Sequence, residues 1–198
     1  MAGIHRSSVL AAAFLFAAGC LAGLSGCDRP EKTPRGRPDE AAPLRLTVQS
    51  TAFPDGKAIP KQHTADGADV SPPLTWSGAP AGTKELALIM DDPDAPGDEP
   101  WVHWVIYKIP ADLKGLPEGL PRAAQLESPA GAMQGQNSWG TVGYRGPAPP
   151  SGVHHYHFKL YALDAALDVR AGLSKQALLD AMSGHILAEG KLVGTYQR

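Results

Sequence analysis

Apolar residues in this chain come in short blocks separated by turn formers, a pattern that predicts strands rather than long amphipathic helices. Leu86-Ala87-Leu88-Ile89-Met90 has no polar position, so residues 85–90 read as a strand buried on both faces. Residues 101–109 form a second strand, apolar on both faces until Lys108. Residues 152–163 form a third, and here the pattern alternates. His154, Tyr156, Phe158 and Leu160 share the apolar face, while His155, His157 and Lys159 share the other. Residues 44–48 alternate as an opening strand, and 191–196 make a closing one. A single helix is predicted over Lys175–Met182, capped by Ser174 and ended by Gly184. Turn formers crowd residues 50–83, predicting short antiparallel strands there. Residues 110–150 are rich in Gly and Pro and predict long ordered loops, the usual seat of function. The sum is a mainly β fold, an antiparallel sandwich with one or two short flanking helices.

The first residues follow a different rule. His5 and Arg6 precede a small, apolar stretch that ends in Leu24-Ser25-Gly26-Cys27. A basic start, a short apolar stretch and small residues before a cleavage point describe an export signal. The cysteine after the cut gives it the form of a bacterial lipoprotein signal. Residues 1–26 are therefore expected to be removed and Cys27 lipidated. Residues 28–43 (DRPEKTPRGRPDEAAP) mix both charges with prolines and lack large apolar side chains, as a disordered tether does. One domain is expected over 44–198, held to the outer side of the cell membrane by the acyl chains. That is the periplasmic side if the cell is Gram-negative, where Asp28 leans towards inner-membrane retention. Membrane fractionation of a Cys27→Ser variant checks the anchor: a variant that still sediments with membranes would exclude it.

Composition narrows the chemistry. The only two cysteines, Cys20 and Cys27, precede the domain, so it has no disulfide or thiol chemistry. Removing residues 1–26 takes away Arg6 and no acid, so the net charge goes from −2 to −3. Nothing basic enough for a nucleic-acid partner remains. About 155 residues suffice for a sizeable core.

The polar groups worth explaining stand where apolar strands end. Asp91-Asp92-Pro93-Asp94-Ala95-Pro96 puts three carboxylates directly after the most apolar strand. Charges there must be paired, hydrated or used, and the prolines hold the loop rigid. His103 lies inside Trp101-Val102-His103-Trp104-Val105, and His154 and Tyr156 point inward at the start of the third strand. Inward histidines beside a carboxylate loop suggest a convergent site.

Asp92-Pro93-Asp94-Ala95-Pro96, His103-Trp104-Val105 and Gly152-Val153-His154-His155-Tyr156 together resemble the phosphatidylethanolamine-binding protein (PEBP) family. The likeness is to its bacterial Raf-kinase-inhibitor-like branch. Asp69-Val70-Ser71-Pro72-Pro73-Leu74, the run GTVGYRGPAPP over 140–150, and His185-Ile186-Leu187-Ala188-Glu189-Gly190 extend the likeness across 44–198. The resemblance implies a β-sandwich with an anion pocket at one end, formed by Asp92, Asp94, His103, His154 and Tyr156. Pro96 and Pro149-Pro150 would shape its wall. It implies a binding function without turnover and no cofactor. Where eukaryotic members often carry a second histidine, before the pocket histidine, this chain has Val102. Those members also place a C-terminal helix beside the pocket; here Arg198 follows soon after the last strand, so a more open pocket is expected.

Protonated imidazoles and a tyrosine hydroxyl would donate to a phosphate-like ligand, and such charge-assisted bonds are strong. Asp92 would accept from a histidine and fix its tautomer, leaving Asp94 for an amine on the ligand. Two other functions compete with small-anion binding. One is inhibition or regulation of a partner protein, such as a protease or kinase. The other is a hydrolase using the His, Asp and Tyr side chains, though Ser138 and Ser151 lack a nucleophile-elbow pattern. No metal site is expected, because a strand points His154 away from His155 and His157. Homodimerisation, the natural ligand and the cis or trans state of Ala95-Pro96 stay open.

Overall fold

β5 (Glu85–Asp92) is buried at all eight positions because the fold covers it on both faces. This computed structural model describes residues 44–198; the signal, Cys27 and the tether lie outside the described residues. The other strands are β1 (Leu44–Arg45), β2 (Thr47–Gln49), β3 (Lys57–Ala58), β4 (Leu74–Ser77), β6 (Trp101–Pro110), β7 (Gly115–Leu116), β8 (Met133–Gln134), β9 (Val153–Leu163) and β10 (Ile186–Gln197). A 3-10 turn (Lys61–His63) and one helix, α1 (Lys175–Met182), complete the list.

The larger sheet runs β1-β10-β9-β5-β6-β8, with β3 also on β10; the smaller runs β2-β4-β7. Between them lies the main core. Leu86, Leu88, Met90, Trp104, Ile106, Phe158 and Leu160 meet Val48, Leu74, Trp76 and Leu116 there. On the opposite face of the larger sheet, Ala87, Ile89, Val105, Tyr107 and Leu163 pack against Leu167 and the α1 residues Leu178 and Met182. Each such aliphatic side chain contributes about 1.5–3 kcal/mol on burial. Two covered faces are why the middle of β5, residues 86–90, is apolar without alternation.

The helix has the expected bounds. Ser174 caps it by accepting from the Ala177 amide, and Gly184 follows at φ 81°. Other expectations need adjustment. The closing strand starts five residues earlier than predicted, at Ile186. Pairing is not antiparallel throughout: β1 and β3 both run parallel to β10. Both are two-residue strands reached through long connections, so no hairpin forces them to reverse. Among the described residues one helix flanks the sheets, within the expected one or two. Among the described residues the cis peptide bond is Ser128-Pro129; Ala95-Pro96 is trans.

Candidate functional site

Alternation decides what the carboxylates at the end of β5 can meet. Asp92 continues the Leu86, Leu88, Met90 face and points between the sheets, while Asp91 continues the Ala87, Ile89 face and points towards α1. Neighbouring β9 supplies His154 and Tyr156 to the Asp92 side by the same rule. β6 does not follow it. Met90 pairs with Trp104 and Asp91 with Val102, so His103 is the extra residue of a β-bulge. The bulge lets His103 and Trp104 turn to the same side of the sheet, and Trp101 join them. Bulges beside sites re-aim a side chain in this way.

Asp92, His103, His154 and Tyr156 thus line one cavity of about 250 Å³, with Pro96, Pro149 and Pro150 along its wall. Trp101, Trp139, Ala95 and Ala148 complete the lining. The two indoles meet edge to face, 5.3 Å between centroids, and remain 37% and 36% exposed at the mouth. The His103 ring stands perpendicular to both Trp139 and Tyr156, at 5.0 and 5.1 Å.

Hydrogen bonds fix how these groups present themselves. His154 Nδ1 donates to Asp92 Oδ2 at 2.8 Å, and the Asp94 amide donates to Asp92 Oδ1 at 2.9 Å. Both oxygens of Asp92 are therefore engaged. His103 Nδ1 lies 2.7 Å from the Arg145 carbonyl. A carbonyl only accepts, so Nδ1 carries the proton. Neither histidine uses Nε2 in a hydrogen bond among the described residues. The Tyr156 hydroxyl is fully buried and unpartnered. Asp92 and the Ala148 backbone stand close enough to act on it, yet neither meets hydrogen-bond geometry.

Burial pushes the His103 pKa down, against the Arg145 hydrogen bond and the charge of Asp92. Burial, then the Asp92 charge, pushes Tyr156 far above the ordinary phenol range. At neutral pH the cavity therefore offers one committed donor, the Tyr156 hydroxyl, and a neutral His103 whose Nε2 can accept or take up a proton. Asp92 and His154, whose Nε2 is free, also line it, and the remaining Trp, Pro and Ala walls are apolar.

One expected pocket residue lies elsewhere. Asp94 does not line the cavity; its carboxylate accepts from the backbone amide and Nδ1 of His155 at 2.8 and 2.7 Å, on the outer side. The Asp92 turn explains this, since the Asp94 amide is drawn in to Asp92 and the side chain is left facing out. His155 and its hydrogen bonds hold the Asp94 carboxyl below its usual range. Ser138 accepts from the Val102 amide at 2.8 Å, and Asn137 organises its loop through Gly143, Trp139 and Thr141. Among the described residues no three His, Cys, Asp or Glu side chains converge to hold a metal ion. From the sequence Trp101 and Trp139 read as core or pocket wall, without a choice between the two, since an indole in an apolar strand or loop carries no sign of which surface it meets; the structure sets both at the mouth.

Comparison with known proteins identifies the family of the fold. The family model described as phosphatidylethanolamine-binding protein matches residues 49–197. A UPF0098 protein of Methanothermobacter thermautotrophicus is 54% identical over 153 residues, 77% of this chain and 99% of the relative. The crystal structure of a PEBP homologue from Chlamydia trachomatis superposes with a TM-score of 0.70 at 40% identity, covering 78% of this chain and 98% of that one. E. coli YbcL, described as a new member of the mammalian PEBP family, gives 0.72 at 33% identity over 78% of this chain and 99% of its own. The mainly β fold, the match along nearly the whole described domain and the identity to full-length relatives place this chain in the phosphatidylethanolamine-binding protein family.

Proposed function

We propose that the cavity binds a small phosphorylated anion resembling a phospholipid headgroup, such as the monoester phosphoethanolamine, without turning it over. The Tyr156 hydroxyl carries this reading. A buried hydroxyl without a partner is costly and needs an explanation. A ligand oxygen in the cavity would supply the missing acceptor. His154 Nε2 and His103 Nε2 are the other polar atoms free to meet it. A singly protonated phosphate suits this set, because it can accept from Tyr156 while donating to a neutral His103. Alternatively, a dianion draws a proton onto His103 and receives two bonds. An ammonium group on the ligand would not meet Asp94, which faces outward. It would lie instead against the paired indoles of Trp101 and Trp139, where cation–π attraction operates. Absence of turnover fits the side chains present: neither Ser138 nor Ser151 lines the cavity.

NMR titration of the purified protein with phosphoethanolamine, and with inorganic phosphate for comparison, tests the reading. Saturable shifts at His103, His154 and Tyr156, lost in His154→Ala, are expected. A tighter response to phosphoethanolamine would assign a role to the indoles. No shifts at millimolar ligand would overturn the proposal and leave protein partners as the remaining binding function.

A further inference from the structure

His103 is aimed by a short strap of chain, residues 144–146, and the strap is itself held by groups far from the cavity. Arg145 pairs with His103 twice: its amide donates to the His103 carbonyl at 3.0 Å, and its carbonyl accepts from Nδ1 at 2.7 Å. On either side of Arg145 the strap is pinned. Arg122 Nε donates to the Tyr144 carbonyl at 2.8 Å, and the Gly146 amide donates to Asp69 Oδ1 at 2.7 Å. The two pins are joined, because Arg122 forms an ion pair with Asp69 Oδ2 and also donates to the Asp69 carbonyl at 2.9 Å. Gly146 lies so close to the chain beneath it that an added Cβ would sit 2.6 Å from the His63 carbonyl oxygen. Only glycine lets the strap run there.

Asp69 adopts a left-handed backbone at φ 56°; the only other non-glycine residue to do so among those described is Lys108. That conformation is unfavourable for an L-residue, though Asp reaches it more readily than most. Strain of this kind persists where surrounding structure requires it, and it clusters at functional sites. Glycine would satisfy the backbone at position 69 without strain. Asp supplies what glycine lacks, a carboxylate that bridges Gly146 and Arg122.

We infer that Asp69, through Arg122 and the 144–146 strap, is a positioning residue that locks His103 in its Nδ1–H form and turns Nε2 to the cavity. Asp69 touches no ligand in this role. It holds the Arg145 carbonyl where His103 must donate to it, as outer partners hold the histidines of metal sites. The lock concerns the free protein. Its effect on affinity rests on the anion-binding reading above.

Asp69→Gly and Asp69→Asn test the inference. The first relieves the backbone and removes the carboxylate; the second keeps an acceptor for Gly146 and tolerates the same φ. Nitrogen-15 spectra of the histidine rings are recorded on the full chain above pH 7, where His103 is neutral and its tautomer can be read. In Asp69→Gly the His103 signals should move from the Nδ1–H pattern towards the Nε2–H pattern, while His154, held by Asp92, keeps its own. Asp69→Asn should retain most of the wild-type His103 pattern. If wild type binds sulfate, affinity should fall roughly tenfold in Asp69→Gly, the lower end for losing an orienting partner. If wild type binds no anion, the reading of the pocket fails, but the ring spectra still decide the lock. An unchanged His103 pattern in Asp69→Gly would overturn the inference. So would equal changes at His103 and His154, which would make the role of Asp69 a general structural one.

Discussion

Asp91 and Asp92 are neighbours in one strand, equally buried, and they solve the problem of a buried carboxylate in opposite ways. Asp91 faces α1 and takes two lysines, Lys159 from β9 at 2.9 Å and Lys175 from the helix at 2.6 Å. Its charge is met by cations that also reach solvent, with side chains 30% and 20% exposed. Asp92 faces the space between the sheets and takes one histidine, whose second nitrogen stays free for something else. The first arrangement ties helix, sheet and charge together: both lysines donate to Asp91 Oδ2, and Oδ1, without a hydrogen bond of its own, lies in ion-pair contact with Lys159. The second is open, with a fully buried Tyr156 hydroxyl unpartnered beside it. Identical side chains one residue apart thus have different work because a strand turns them to different layers. Stability should dominate on the Asp91 face, and ligand binding on the Asp92 face.

The largest expected effect separates the two faces directly. Asp91→Ala leaves two lysines facing a buried gap and should destabilise the protein by about 3 kcal/mol, the low end for breaking a buried pair because both ammonium groups can hydrate. Urea unfolding measures this. Anion affinity, followed by the same ring signals, should change far less than stability, since Asp91 does not line the cavity and reaches it only through its charge on His103. A collapse of affinity in proportion to stability would show that the faces are coupled and remove the distinction.

Tyr156→Phe should do the reverse. Removing an unpartnered buried hydroxyl leaves stability unchanged or raises it by up to about 1 kcal/mol, while a lost bond to a charged ligand costs about 1.5–3 kcal/mol, tenfold or more in affinity. Destabilisation beyond about 2 kcal/mol would mean that the hydroxyl has an internal partner after all. Stability gained where binding is lost is the usual mark of a functional polar group.

The comparison also shows what could be read from the residues alone. Period-two alternation placed His154 and Tyr156 inward, and Ser174 with Gly184 bounded the helix, because these signals are local. The carboxylate loop was recognisable as a site by its abruptness after β5. Asp94 was misplaced because its orientation depends on a turn closed by Asp92, which alternation does not describe. His103 was read as inward and does line the cavity, but alternation gives no reason for it. Strict alternation would set it opposite Trp104, and only the bulge against β5 brings both to one side. Asp69, Arg122 and Arg145 are farther still from any sequence rule, since they meet through three separate loops. Their carboxylate and guanidinium groups look like ordinary solvated charges until the loops are folded.

The smallest expected effect concerns protons, and it sharpens the contrast between the two faces. Burial lowers the His103 pKa below the ordinary 6.5, so the unfolded chain binds this proton more readily than the folded one. Stability without ligand should therefore fall as pH drops from about 6.5 towards the lower folded value. An anion in the cavity favours the imidazolium, so binding takes up a proton and affinity should rise over the same interval. Sulfate is the probe to use, because it does not titrate there. One proton taken up limits the gain to about tenfold per pH unit. Calorimetry in two buffers of different ionisation heat counts the protons, and His103→Gln should remove its share of the slope. Asp69, Asp91 and Asp92 all favour the charged ring, burial opposes them, and burial is the larger influence. The opposed slopes, stability down and affinity up, follow only if His103 is neutral in the empty cavity and charged in the filled one. Parallel slopes would mean that the proton binds elsewhere, and that His103 does not donate to the bound anion.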